Sequence, residues 1–163
     1  MTSKVGRLTL VAVLIVAAVA CRGDQRTASG LDGRLAGTSS EKFDMVANHL
    51  RGLDMTMVEI GYRYEQLYWA GEDANWELAR YQLTKITLAL DNGLERRPKR
   101  SASAQPFLTA GIPAINEAIV GRNQALFRER FAAVTSLCNA CHATEQVAFF
   151  KVGPPNVRTG SLR

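Results

Sequence analysis

Five consecutive residues stand out by type and spacing: Cys138, Asn139, Ala140, Cys141 and His142. Two thiols three positions apart on a helix lie on one face, and an imidazole follows at once. Such a pair can form thioether links to the two vinyl groups of one haem, and the adjacent histidine then rises towards the iron as an axial ligand. At this chain's own residue frequencies, roughly one sequence in a thousand of this length would hold the pattern by chance. Three other chemistries use such a cysteine pair. Zinc needs four ligands, and beyond the motif only distant His49 offers another. A thioredoxin-like redox pair precedes a helix in an α/β pattern, whereas this pair sits late on a helix. A plain disulfide would form in a chain that never meets haem. Covalent attachment of one haem c to Cys138 and Cys141, with His142 on the iron, is the expectation.

The elements that must position this motif read as helices. Phe127, Phe131, Val134, Cys138 and Cys141 step by four, three, four and three, which defines helix D over about 123–145. Val46, Leu50, Leu53, Met57, Ile60, Tyr64 and Leu67 form one apolar face, so helix A is expected over about 41–70, capped by Ser39 or Ser40 and ended by Gly71. Trp76, Ala79, Leu83, Ile86 and Leu90 make the stripe of helix B, about 74–92, with Asp91-Asn92-Gly93 as its stop. A polar loop over 95–105 follows. Helix C, about 106–120, is interrupted by Gly111 and Pro113 and reads as two pieces or one kinked helix. No strand-like alternation stands out. The fold class is all-α: an antiparallel up-down four-helix bundle over 41–148, with haem held near the end of the last helix, then an irregular tail over 149–163.

The remaining composition narrows the setting. The chain has 163 residues with 20 basic and 15 acidic side chains, a net charge of +5 that calls for no nucleic-acid partner. Lys4 and Arg7 precede an apolar run from Leu8 to Ala20, too short for the roughly 20 residues of a membrane span. Residues 1–20 therefore read as a signal peptide. Cys21 stands where a bacterial lipoprotein carries its acylated cysteine, although Ala18 replaces the usual leucine before it. Residues 22–40 are rich in Gly, Ser, Thr and charge and read as a flexible linker. The expected location is the cell envelope, facing the periplasm, with a lipid tether at Cys21 or else soluble.

The helix count and the Cys138–His142 motif on the last helix together resemble the class II cytochromes c, the group of cytochrome c′ and its low-spin relatives. The resemblance covers about 40–145 and implies a four-helix bundle bearing one haem c. Class I cytochromes c carry the motif early and a methionine ligand downstream; here Met1, Met45, Met55 and Met57 all precede it. The chain departs from class II after the motif, where Ala143 to Gln146 lack the usual basic residue and the tail holds Phe149-Phe150 and Pro154-Pro155.

In an up-down bundle the first turns of helix A face the end of helix D. At about 1.5 Å per residue, His142 is level with roughly the first ten residues of helix A. His49 and Met45, four apart, are therefore candidates for the sixth iron position. Met57 is a third, deeper in the apolar stripe but about 12 Å further along the helix than His49. Left open, the iron would face an apolar pocket. The function expected is a monohaem electron carrier with a redox partner in the envelope. The alternatives are a protein binding NO or CO, or a haem subunit of a larger oxidoreductase. No nucleophile–base pair stands out, so a stand-alone enzyme is not expected. A homodimer is compatible with the class. Arg96, Arg97, Lys99 and Arg100 form a basic loop at the haem end, suited to propionates or to an acidic partner. Trp69, Trp76, Tyr64 and Tyr68 read as packing around the A–B turn.

Overall fold

A computed structural model describes residues 29–159. The signal-peptide and Cys21 readings lie outside these residues, as do the first part of the linker and the last four residues of the tail. The described residues are helical, with no strand among them. They fall into two units divided between Leu50 and Arg51.

The first unit holds a short 3-10 turn, Leu31–Gly33, and one helix, α1, Ser39–His49. Thr38, not Ser39 or Ser40, caps it. The Thr38 hydroxyl accepts from the Glu41 amide at 3.3 Å, and the Thr38 amide donates to the Glu41 carboxylate at 2.6 Å. This reciprocal pair satisfies two of the donors that a helix start leaves open.

The second unit contains the bundle: α2, Leu53–Glu72; α3, Trp76–Arg96; α4, Ser101–Pro106, continued by a π-helical turn, Phe107–Gly111, into α5, Ile112–Val120; and α6, Gln124–Thr144. Counting α4 to α5 as one rod gives four helices. The buried faces follow the expected stripes along α3, over Phe127 to Val134 of α6, and in α2 from Tyr64 onwards. Leu67, Ala79, Ile115, Ile119 and Phe127 are fully buried, and Tyr64, Trp76, Leu83, Ile86, Leu90, Phe131 and Val134 complete the same core.

Three sequence expectations need correction. The single helix over 41–70 is two helices, because Leu50 adopts an extended backbone and Gly52 starts α2. Glycine costs about 1 kcal/mol inside a helix, and Val46 and Leu50, which carried the stripe across the break, are exposed. Neither Gly71 nor Gly93 stops a helix. A β-carbon on Gly93 would meet Thr56 Oγ1 at 2.8 Å, and one on Gly71 would meet the Phe127 ring at 2.0 Å. Both glycines sit inside helices and let a neighbour approach. The loop expected over 95–105 is mostly helical: α3 runs to Arg96, Pro98–Arg100 make a single 3-10 turn, and α4 begins at Ser101.

The proline interruption has a definite form. Pro113 has no amide to offer the Thr109 carbonyl, so the helix widens, and the Ile112 amide donates to the Phe107 carbonyl five residues back. The widened turn presents Gly111 to Leu137 of α6, 2.9 Å from where a β-carbon would be.

Candidate haem-attachment site

Helix α6 carries the motif. Asn123 caps its start, accepting from the Leu126 amide at 3.0 Å, and Phe127, Phe131 and Val134 bury its inner face. The same face continues to Leu137, Cys138 and Cys141. There the core gives way to a cleft lined by Met57 and Ile60 of α2, Leu90 of α3, Ala104 and Phe107 of the third rod, and Leu137, Cys138, Cys141 and His142 of α6. The lining is apolar apart from the motif itself. Both sulphurs are free thiols. Burial pushes the Cys138 thiol up to about 11, with Cys141 beside it adding to the shift. Cys138 is therefore a neutral thiol at physiological pH, unlike a redox-active cysteine, whose thiolate is stabilised.

His142 is oriented by the chain that follows it. Its Nδ1 lies 2.7 Å from the Phe150 carbonyl oxygen. A carbonyl only accepts, so Nδ1 carries a proton, which leaves Nε2 as the nitrogen that a neutral imidazole would offer a metal.

The tail is irregular but tied down. Gln146 has a positive φ of 61° and reverses the chain at the end of α6, with the Val147 amide donating to the His142 carbonyl at 2.8 Å. Asn139 then holds Val152 from both sides: its Nδ2 donates to the Val152 carbonyl at 2.9 Å, and its Oδ1 accepts from the Val152 amide at 2.8 Å. Tyr64 donates to the Gly153 carbonyl at 3.2 Å and shares a 2.6 Å hydrogen bond with the Thr135 hydroxyl. Further along, Arg158 grips both oxygens of Asp73 at 2.6 and 2.8 Å and lies over the Trp69 ring. Sequence reasoning missed this strap. The motif gives Asn139 no role of its own, and Tyr64 reads from sequence as packing around the A–B turn.

The basic loop is largely engaged. Arg96 donates to the Arg51 carbonyl at 2.8 Å and to Thr56 at 3.1 Å, and Arg100 pairs with Glu145, which also accepts from Ser103. Arg100 and Glu145 thus place this loop beside the end of α6, where the motif lies.

The three candidates for a sixth ligand separate. Met57 lines the same cleft as the motif. His49 is exposed and Met45 half-buried, both on α1 in the other unit. Their register with His142 was counted along one continuous helix, and the break at Leu50–Gly52 removes that premise.

The residues fit a haem in their chemistry. Two thiols and one imidazole share one apolar rim. Among the described residues no group of three or more His, Cys, Asp or Glu side chains is placed to hold a metal ion directly. Space is the part that must be made. The cleft holds about 60 Å³, enough for one or two waters, so a macrocycle requires the lining side chains to move apart. No family model, curated protein or solved structure matches the chain.

Proposed function

We propose that this protein is a monohaem c-type cytochrome of the class II kind, an antiparallel four-helix bundle that carries single electrons in the cell envelope. One observation carries the reading: Cys138, Cys141 and an imidazole with its Nδ1 proton already committed open onto one apolar cleft. The antiparallel arrangement is supported by Glu72, at the end of α2, bonding Arg128 near the start of α6, while Tyr64 further back bonds Thr135 further on.

When bound, haem c supplies reversible acceptance of one electron at its iron. The chain's residues do the rest. Cys138 and Cys141 would fasten the macrocycle, and His142 would hold the metal through Nε2. Ile60, Leu90, Phe107 and Leu137 keep water from one side, which raises the cost of the more charged oxidised state and so raises the potential. Met57 would complete the coordination because it lines the same cleft; His49 and Met45, on α1, are the alternatives. The charged start of the chain, its apolar run and Cys21 support export with a lipid tether, and a redox partner in the envelope would supply or take the electron. A second reading draws on the apolar lining. If Met57 stays off the iron, the open side suits NO or CO.

The test is to express the full chain with haem-maturation machinery and record oxidised, reduced and CO-treated absorption spectra. Sharp reduced bands unmoved by CO support the carrier, and Met57→Ala then makes the iron CO-reactive while His49→Ala and Met45→Ala do not. Bands that shift with CO in the wild type support the gas-binding reading. Absence of covalent haem refutes both. A haem subunit of a larger oxidoreductase would reveal itself by co-purifying with its partner.

A further inference from the structure

We propose that the C-terminal strap, residues 146–159, sets the reduction potential of the site through the His142 imidazole, and that Asn139 is the positioning residue that holds the strap there. The inference rests on the haem reading above and goes beyond it, because the resemblance to class II cytochromes assigns no role to this tail.

The Phe150 carbonyl is the group that acts on His142, at 2.7 Å from Nδ1. A backbone carbonyl is useful as a tuning group only if it is held still, and this one is fixed on both sides. Before it, the Phe150 amide donates to the Val147 carbonyl at 2.9 Å and the Val147 amide donates to the His142 carbonyl at 2.8 Å, closing a tight return at the end of α6. After it, Asn139 accepts from and donates to Val152, while its amide also reaches the Thr135 carbonyl at 3.1 Å. Tyr64 adds the bond to Gly153. Asn139 stands between the two attachment cysteines, on the same helix turn as His142, so the clamp and the ligand move as one rigid body.

An imidazole whose Nδ1–H donates to a fixed acceptor is more basic at Nε2. A more basic ligand favours the oxidised, more positive iron over the reduced one, so the intact strap lowers the potential. Releasing the carbonyl removes that bias and raises it.

The experiment is a potentiometric titration of full-length holoprotein with haem content measured on every sample. Asn139→Ala should raise the ratio of reduced to oxidised protein at fixed poise about tenfold, which is 59 mV for a one-electron couple. Tyr64→Phe should shift it the same way by less, and the double variant should move less than the sum, since both residues hold one strap. Val157→Ser, at an exposed strap position, should leave the potential alone. A purely structural role for Asn139 would lower the melting temperature without moving the potential. Full haem content with a wild-type potential in both Asn139→Ala and Tyr64→Phe overturns the inference. Absence of covalent haem in the wild type overturns the functional reading instead, and the strap's role with it. Should Asn139→Ala fail to fold, Tyr64→Phe decides by itself.

Discussion

The same substitution at two glycines of α2 should have opposite effects. A β-carbon at Gly71 would lie 2.0 Å from Phe127 Cε1 and 2.3 Å from Cζ. Ordinary carbon contacts are about 3.5–4.0 Å, so the ring would have to withdraw by more than an ångström. It has nowhere to go: Phe127 is fully buried, with the Trp76 and Phe131 rings at 6.1 and 5.8 Å. Overpacking of this kind costs about 1–3 kcal/mol or more, and alanine's better helix propensity returns about 1 kcal/mol. Gly71→Ala should therefore lose about 2 kcal/mol. Gly61, earlier in the same helix, has no neighbour within 4 Å. There only the propensity gain remains, up to about 1 kcal/mol. Urea unfolding of the full chain, followed by helical circular dichroism, reads both. With a slope of about 1–3 kcal/mol per molar urea, Gly71→Ala should lower the midpoint by roughly 1 M and Gly61→Ala should raise it. A Gly71→Ala midpoint at or above wild type, or both midpoints moving together, would refute the packing account.

Burial pushes the Tyr64 hydroxyl up to about 12, against the opposing pull of its bond to Thr135. The unfolded chain releases this proton near pH 10, so the contribution is complete below that value and is lost as pH rises towards 12; Tyr64→Phe should flatten the fall in urea midpoint between pH 10 and 12. Ala74 ends α2's turn with a φ of 52°. Glycine relieves that left-handed strain, and Ala74→Gly should gain roughly 0.5–1 kcal/mol, read as a higher melting temperature. Met57→Ala should lower the melting temperature by the equivalent of about 1–2 kcal/mol, less than a fully buried methionine would cost, because Met57 is half-buried at the cleft rim. Arg158→Ala removes the bidentate grip on Asp73 and the contact with Trp69; carboxypeptidase should trim its tail faster than the wild-type tail while the helical signal stays unchanged.

The local parts of the fold were legible in the sequence. Cys138, Cys141 and His142 depend only on spacing within one helix, and their cleft follows from extending the stripe of Phe127, Phe131 and Val134 by one more turn. The stripes of α2 and α3 were visible for the same reason, since 3.6-residue periodicity is recorded in consecutive residues. Glycine misled. Gly71, Gly93 and Gly111 looked like stops or interruptions, but each admits a side chain from another helix, and a contact distant in sequence leaves no local mark. The break at Gly52 is hidden because the apolar stripe runs across it. The strap could not be read at all: Tyr64 and Gly153 are 89 residues apart, and the tail has no periodicity to report.

The strap also has a direction of release. It is rooted where α6 ends, and its ties are met in chain order: Phe150 on His142, Val152 on Asn139, Gly153 on Tyr64, Arg158 on Asp73 and Thr159 on Glu65. Once the helices are formed, each tie closes only a short stretch beyond the one before it, and short closures carry the smallest entropic penalty. Among the described ties that of Thr159 is the outermost, so opening of the strap from that side reaches the His142 contact last. Hydrogen exchange along the tail should be graded accordingly, with the slowest amides nearest the motif. The imidazole is thus buffered from disturbance beyond Thr159, because several weak ties have to open in sequence before the one that matters to it is disturbed.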